Sequence, residues 1–109
     1  LVNKGEVEVK AYNQVEVFNA AATFIKAEGF IPAPEPAHSI KAVVDEALRC
    51  KETGEKKTLL FLLCGHGYFD MKAYDDFLQG RLPPYQYPRE KIRESMDRLK
   101  KLYPEINRS

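Results

Sequence analysis

The stretch TLLFLLCGHGYFD, residues 58–70, is an apolar run that ends abruptly in Cys64, a histidine bracketed by Gly65 and Gly67, and Asp70. Residues 59–63 carry no polar interruption, so neither face of the segment expects water. That pattern predicts a central strand covered on both sides by helices rather than a half-exposed one. Such a strand needs neighbours on both edges. Gly65 and Gly67 follow at its carboxyl end, where open α/β sheets place ligands and where a chain without a Cβ can turn sharply or approach another group closely.

Working outward, residues 7–12 (VEVKAY) alternate Val7, Val9 and Ala11 with Glu8 and Lys10, the period of an edge strand with one wet face. Asn13 with Glu16 three residues later forms a capping-box pattern. Val17, Phe18, Ala21, Phe24 and Ile25 then recur at helical spacing, predicting a helix over 15–28 closed by Gly29. The seven residues FIPAPEP hold three prolines and predict a rigid connector over 30–34. Pro36 suits the first turn of a second helix, which carries Ile40, Val43, Val44, Ala47 and Leu48 on one face to about Lys51. After the central strand, Asp70 predicts the N-cap of a short helix over 71–79 closed by Gly80. Residues 81–88, with three prolines and two tyrosines, read as a loop, and a last helix over 89–102 aligns Ile92, Met96, Leu99 and Tyr103.

The expected fold class is therefore α/β: four main helices with two strands, residues 7–12 and 57–63, adjacent and parallel because a long helical connection joins them. Two strands alone are marginal in water, so the rest of the sheet is expected from another copy or from further sequence. At 109 residues the chain is one domain or part of one. Its 17 basic and 16 acidic residues nearly cancel, and no basic block is interleaved with aromatics, which argues against nucleic acid or an acidic membrane surface. Cys50 and Cys64 form no CxxC pair and are too few for a disulfide framework, and no apolar run is long enough to span a bilayer. A cytoplasmic location is expected.

The residues that could carry chemistry are Cys64, His66, Asp70, Glu35 and His38. Cys64 could be a nucleophile activated by His66, although a thiol after an apolar strand is more often a small hydrophobe. Cys64 and His66 supply too few ligands for zinc, and no metal site is expected. Glu35 falls at a helix N-terminus, where peptide dipoles favour an anion, so capping is its bland role. His38, one turn on, reads as a packing or hydrogen-bonding residue.

Residues 28–38, EGFIPAPEPAH, resemble the EGIIPAxExxHA segment of tryptophan synthase beta chains, and residues 61–70, FLLCGHGYFD, resemble their FNLSGHGxxD segment. The PAPE wording, the GHG histidine and the separation of the two blocks are most similar to the second, archaeal and bacterial, group of that family. The likeness covers about residues 5–82, which makes residues 1–82 the C-terminal part of a fold-type II pyridoxal-phosphate domain, with 83–109 as a C-terminal loop and helix.

The resemblance implies an enzyme that replaces the hydroxyl of L-serine with indole. It places Cys64 where the family's serine bonds the pyridine nitrogen of the cofactor, and Glu35 against the cofactor ring. Gly65 and His66 complete the implied cofactor-binding set, and no catalytic residue is assigned. The chain departs from the pattern at Cys64 and Leu62, where serine and asparagine are usual, and a thiol is a weaker hydrogen-bond partner than a hydroxyl. The family's Schiff-base lysine and Gly-rich phosphate loop lie N-terminal to the matched region, and no GGGSN-like run occurs here. The 109 residues alone are thus expected to be inactive, to bind no pyridoxal phosphate, and to need either the N-terminal portion or self-association. Two other readings compete: a non-catalytic interaction module that self-associates through open strand edges, and a cysteine-dependent enzyme, which lacks an identifiable orienting group.

Overall fold

A computed structural model describes residues 1–85 and 87–104. Position 86 of the expected 81–88 loop and positions 105–109 of the expected C-terminal segment lie outside the described residues. Four α-helices are described: α1 (Gln14–Glu28), α2 (Pro34–Thr53), α3 (Met71–Leu78) and α4 (Arg89–Leu102). Single 3-10 turns occur at Val2–Lys4 and Gly67–Phe69. The chain divides into two units, Lys10–Pro84 and a second made of Leu1–Val9 with Tyr85–Ser109.

The first unit is built on α1 and α2. Asn13 caps α1: its side-chain oxygen accepts from the Val15 amide at 3.0 Å, while its own amide donates to the Glu16 carboxylate at 3.1 Å. Two otherwise orphaned amides are thereby satisfied. Gly29 ends the helix in the left-handed region, φ 69°, and its amide returns to the Ile25 carbonyl. Helix α2 begins at Pro34, two residues earlier than the Pro36 start expected. Pro34 and Pro36 both fall in its first turn, where the missing N–H would have no partner in any case. It runs to Thr53, with Gly54 at φ 72° as its stop.

The core joins three helices. Val17, Phe18 and Ala21 of α1 meet Ala37 of α2 and Tyr74 of α3, with Ile25, Ile31, Phe77 and Leu82 packed around them. Phe18 is its hub: the Tyr74 ring meets it edge-on at 5.0 Å and the Phe77 ring stacks at 5.5 Å. The far half of α2 is less covered. Ala47 and Leu48, expected on its packing face, are exposed.

Residues 7–12 and 57–63, expected as adjacent parallel strands, form no strand. Among the described residues, β-pairing is limited to one antiparallel bridge, between Pro32 and His66. Val7 and Val9 are exposed, and the apolar run leaves Leu60 94% and Leu62 76% exposed. The cause is the lack of edges to pair with, since a single candidate partner cannot sustain a sheet in water. What fixes the entry to the run is polar: Lys57 reaches Glu46 of α2 at 2.8 Å, and Arg49 bonds both Glu46 and Glu55. The Arg49 and Lys57 cations hold the Glu46 carboxyl down at about 2.

In the second unit α4 has no buried residue, and its stripe of Ile92, Met96, Leu99 and Tyr103 is exposed. No helix among the described residues is long and apolar enough to cross a membrane.

Candidate functional site

The two motifs singled out in the sequence meet at the Pro32–His66 bridge. The Gly67 amide donates to the Ile31 carbonyl at 2.8 Å, and the Ala33 amide donates to the Gly65 carbonyl at 3.1 Å. These two bonds hold the IPAPE segment against the CGHG segment in one register, although 34 positions of sequence separate Pro32 from His66.

Gly67 is required by closeness rather than by dihedral angle. A Cβ on Gly67 would lie 2.6 Å from the Pro32 carbonyl oxygen, 2.7 Å from an Ile31 side-chain carbon and 3.0 Å from the Tyr74 ring. One on Gly65 would sit 3.2 Å from the Ala33 Cβ. The Gly67 site thus admits no side chain unless backbone moves.

Tyr74 closes the junction from beneath. Its hydroxyl donates to the Pro32 carbonyl at 2.6 Å, and the residue is buried. Burial, with the Asp70 carboxylate adding to it, pushes the phenol up to about 12, so the hydroxyl keeps its proton and its donor role at neutral pH. Tyr74 was legible as a packing residue of α3, but its hydroxyl carries no sequence signal, since its partner is a carbonyl 42 positions away.

The expected site residues divide by exposure. Cys64, His66 and Glu35 are exposed, Gly65 is half-buried and Gly67 is buried. Neither Cys64 nor Glu35 makes a hydrogen bond or ion pair among the described residues, so the thiol and the carboxylate are both available at the edges of the junction. His66 is the N-cap of the Gly67–Phe69 turn: its Nδ1 accepts from the Tyr68 amide at 3.4 Å, and its ring lies near Tyr68 and Phe69. With Nδ1 so used, His66 makes no hydrogen bond to Cys64 among the described residues. His38 bonds the Pro34 carbonyl one turn back through Nδ1 at 3.0 Å, a hydrogen-bonding role within α2. Asp70 precedes α3 at the N-cap position, but there its carbonyl, not its carboxylate, receives the Ala73 and Tyr74 amides. No group of three or more His, Cys, Asp or Glu side chains that could hold a metal occurs among the described residues.

The chain is homologous to tryptophan synthase beta chains. It is 61% identical over 82 residues to tryptophan synthase beta chain 2 of Aquifex aeolicus, covering 75% of this chain and 19% of the relative. It is 52% identical over 86 residues to the tryptophan synthase beta chain of Pyrococcus horikoshii, covering 79% and 19%. It is 51% identical over 90 residues to beta chain 2 of Pyrococcus abyssi, covering 83% and 20%. The chain therefore spans about one-fifth of the length of the curated relatives it matches. No family model matches it.

Proposed function

We propose that these residues are the C-terminal segment of a pyridoxal-phosphate enzyme that replaces the hydroxyl of L-serine with indole, and that they supply the side of the site facing the cofactor ring. The observation that carries this reading is the bridge at Pro32 and His66, which brings the Glu35-bearing and Cys64-bearing motifs together. The likeness to tryptophan synthase beta chains supports this reading.

The donor set fits the ring end of that cofactor. Pyridoxal phosphate, when bound, acts as the electron sink for bond breaking at the amino-acid substrate. Cys64 offers a neutral thiol to the ring nitrogen. Unlike a carboxylate it does not hold a proton there, which favours elimination and replacement at Cβ over transamination. Glu35, in the first turn of α2, would stand against the ring and orient what binds there. Gly65 and His66 would complete the residues beside it. The lysine and phosphate loop come from elsewhere in the longer protein, so the segment alone is inactive and binds no cofactor. Residues 57–63 become a central strand, parallel to its neighbours, when that remainder covers Leu60 and Leu62; 1–82 then belong to the cofactor domain and 83–109 form its C-terminal loop and helix. The two free cysteines accord with a cytoplasmic setting.

The test is a chimera: tryptophan synthase beta chain 2 of Aquifex aeolicus with its matching 82-residue segment replaced by the one from this chain. The reading expects tryptophan from serine and indole. It expects Cys64→Ser to preserve or raise turnover, Cys64→Asp to divert product toward transamination, and Glu35→Ala to alter both turnover and the absorbance of bound cofactor. A chimera that folds and binds pyridoxal phosphate yet is indifferent to all three changes would contradict it. A second reading, a self-associating interaction module, draws on the exposure of Leu60 and Leu62, and a chimera that folds without binding cofactor would favour it.

A further inference from the structure

The Pro32 carbonyl has two close neighbours that the reading above does not use: the Tyr74 hydroxyl that donates to it and the Gly67 backbone that leaves room for it. Pro32 is among the most completely buried residues of the chain. Without Tyr74 its carbonyl would be a buried acceptor lacking a partner, a cost that the segment would relieve by turning the carbonyl outward. Two residues on, α2 begins at Pro34, and Glu35 follows. On the facing segment, Cys64 directly precedes Gly65, whose carbonyl receives the Ala33 amide.

The Tyr74 ring cannot follow the carbonyl if it moves. Phe18 of α1 meets it edge-on at 5.0 Å, and the Asp70 carbonyl holds its backbone amide at the start of α3. The hydroxyl is thus a fixed point, set by α1 and α3, to which the junction is tied. We propose that Tyr74 is a positioning residue: by holding the Pro32 carbonyl against Gly67, it sets the spacing and register between Glu35 and Cys64. This rests on the cofactor-side role given above to those two residues.

The test uses Tyr74→Phe, which removes the hydroxyl and keeps the ring on Phe18, with Gly67→Ala as a second variant that forces the same junction apart from its other side. In the 109-residue chain, Tyr74→Phe should speed amide exchange at Ala33 and Gly67 by roughly tenfold, as loss of one buried hydrogen bond allows. Exchange in the middle of α1 should not change. In the Aquifex chimera, both variants should lower kcat by about tenfold or more, as displacement of positioned groups does, with a smaller change in KM for serine and a shift in the absorbance of bound cofactor. Cys64→Ala is the control. If it moves that absorbance while Tyr74→Phe moves neither absorbance nor kcat, the positioning role is overturned and the cofactor-side reading stands. If Cys64→Ala and Glu35→Ala are equally silent, that reading falls and takes the positioning role with it. Unchanged exchange at Ala33 and Gly67 in the isolated chain would overturn the proposal by itself.

Discussion

Residues 31–33 and residues 59–63 are two short non-helical segments of one unit, and their composition predicts the wrong one to be buried. The second is wholly apolar, yet Leu60 and Leu62 face solvent. The first contains a proline and an alanine, and both are buried. The difference lies in partners. Residues 31–33 have a facing glycine segment for their backbone groups and a tyrosine beneath, whereas none of the backbone hydrogen bonds outside helices among the described residues involves 58–64. Hydrophobicity alone does not bury a segment whose N–H and C=O groups have nothing to pair with.

The sharpest break in this comparison comes from the core beneath the junction. Phe18→Ala removes the ring against which Tyr74 and Phe77 both rest, and should cost about 3–5 kcal/mol, enough to abolish a cooperative melt in so small a unit. Retention of most of the stability would show that α1 and α3 do not share one core. Gly67→Ala comes next. Its added carbon meets a backbone carbonyl at 2.6 Å, so roughly 1–3 kcal/mol should be lost, read from the denaturant midpoint. A neutral outcome would mean that the junction is loose.

Tyr74→Phe should cost about 0.5–1.5 kcal/mol at neutral pH. The same residue gives the comparison a pH dependence. Its folded phenol is raised above the ordinary tyrosine value of 10.0 to about 12, so the folded state holds this proton more tightly than the unfolded one. The stability it contributes is fully present below 10 and is lost as the pH climbs through 10 toward 12. Ultraviolet titration of tyrosinate should show one of the six tyrosines ionising near 12, and Tyr74→Phe should delete that phase. An unaltered alkaline titration would place the hydroxyl in water.

The smallest effect on stability belongs to the exposed run. Leu60→Lys with Leu62→Lys should leave the melt of the isolated chain within about 0.5 kcal/mol, because neither side chain is buried there. The pair should nonetheless reduce self-association at micromolar concentration, since apolar side chains beside unpaired backbone are a template for a second copy. A wild-type chain that sediments as a monomer would show that the run is harmless as it stands.

The helices were legible because their signals are local. Asn13 with Glu16, the Val17–Phe18–Ala21 spacing, and Gly29 and Gly80 at helix ends each act within a turn or two. The start of α2 at Pro34 rather than Pro36 reflects two prolines that both suit a first turn, and the other helix ends shift by one or two residues. The candidate site was legible by likeness: Glu35 and Cys64 stand in the two motifs that the fold brings together. What could not be read was how they meet. The Tyr74 hydroxyl, the Pro32 carbonyl and the space over Gly67 are joined only by tertiary structure, and backbone groups leave no trace in residue identity. The strands failed for the opposite reason. The period-two and apolar patterns of 7–12 and 57–63 describe an environment with neighbouring strands, which the described residues do not provide.

Residue-resolved amide hydrogen exchange on the isolated chain, at a concentration where it is monomeric, tests most directly the claim that the two motifs join while the backbone of the apolar run stays unpaired. The account predicts protection at Ala33 and Gly67 comparable to that of α1, with residues 59–63 exchanging close to the rate of an unstructured peptide. Protected amides across 59–63, or free exchange at Ala33 and Gly67, would contradict it.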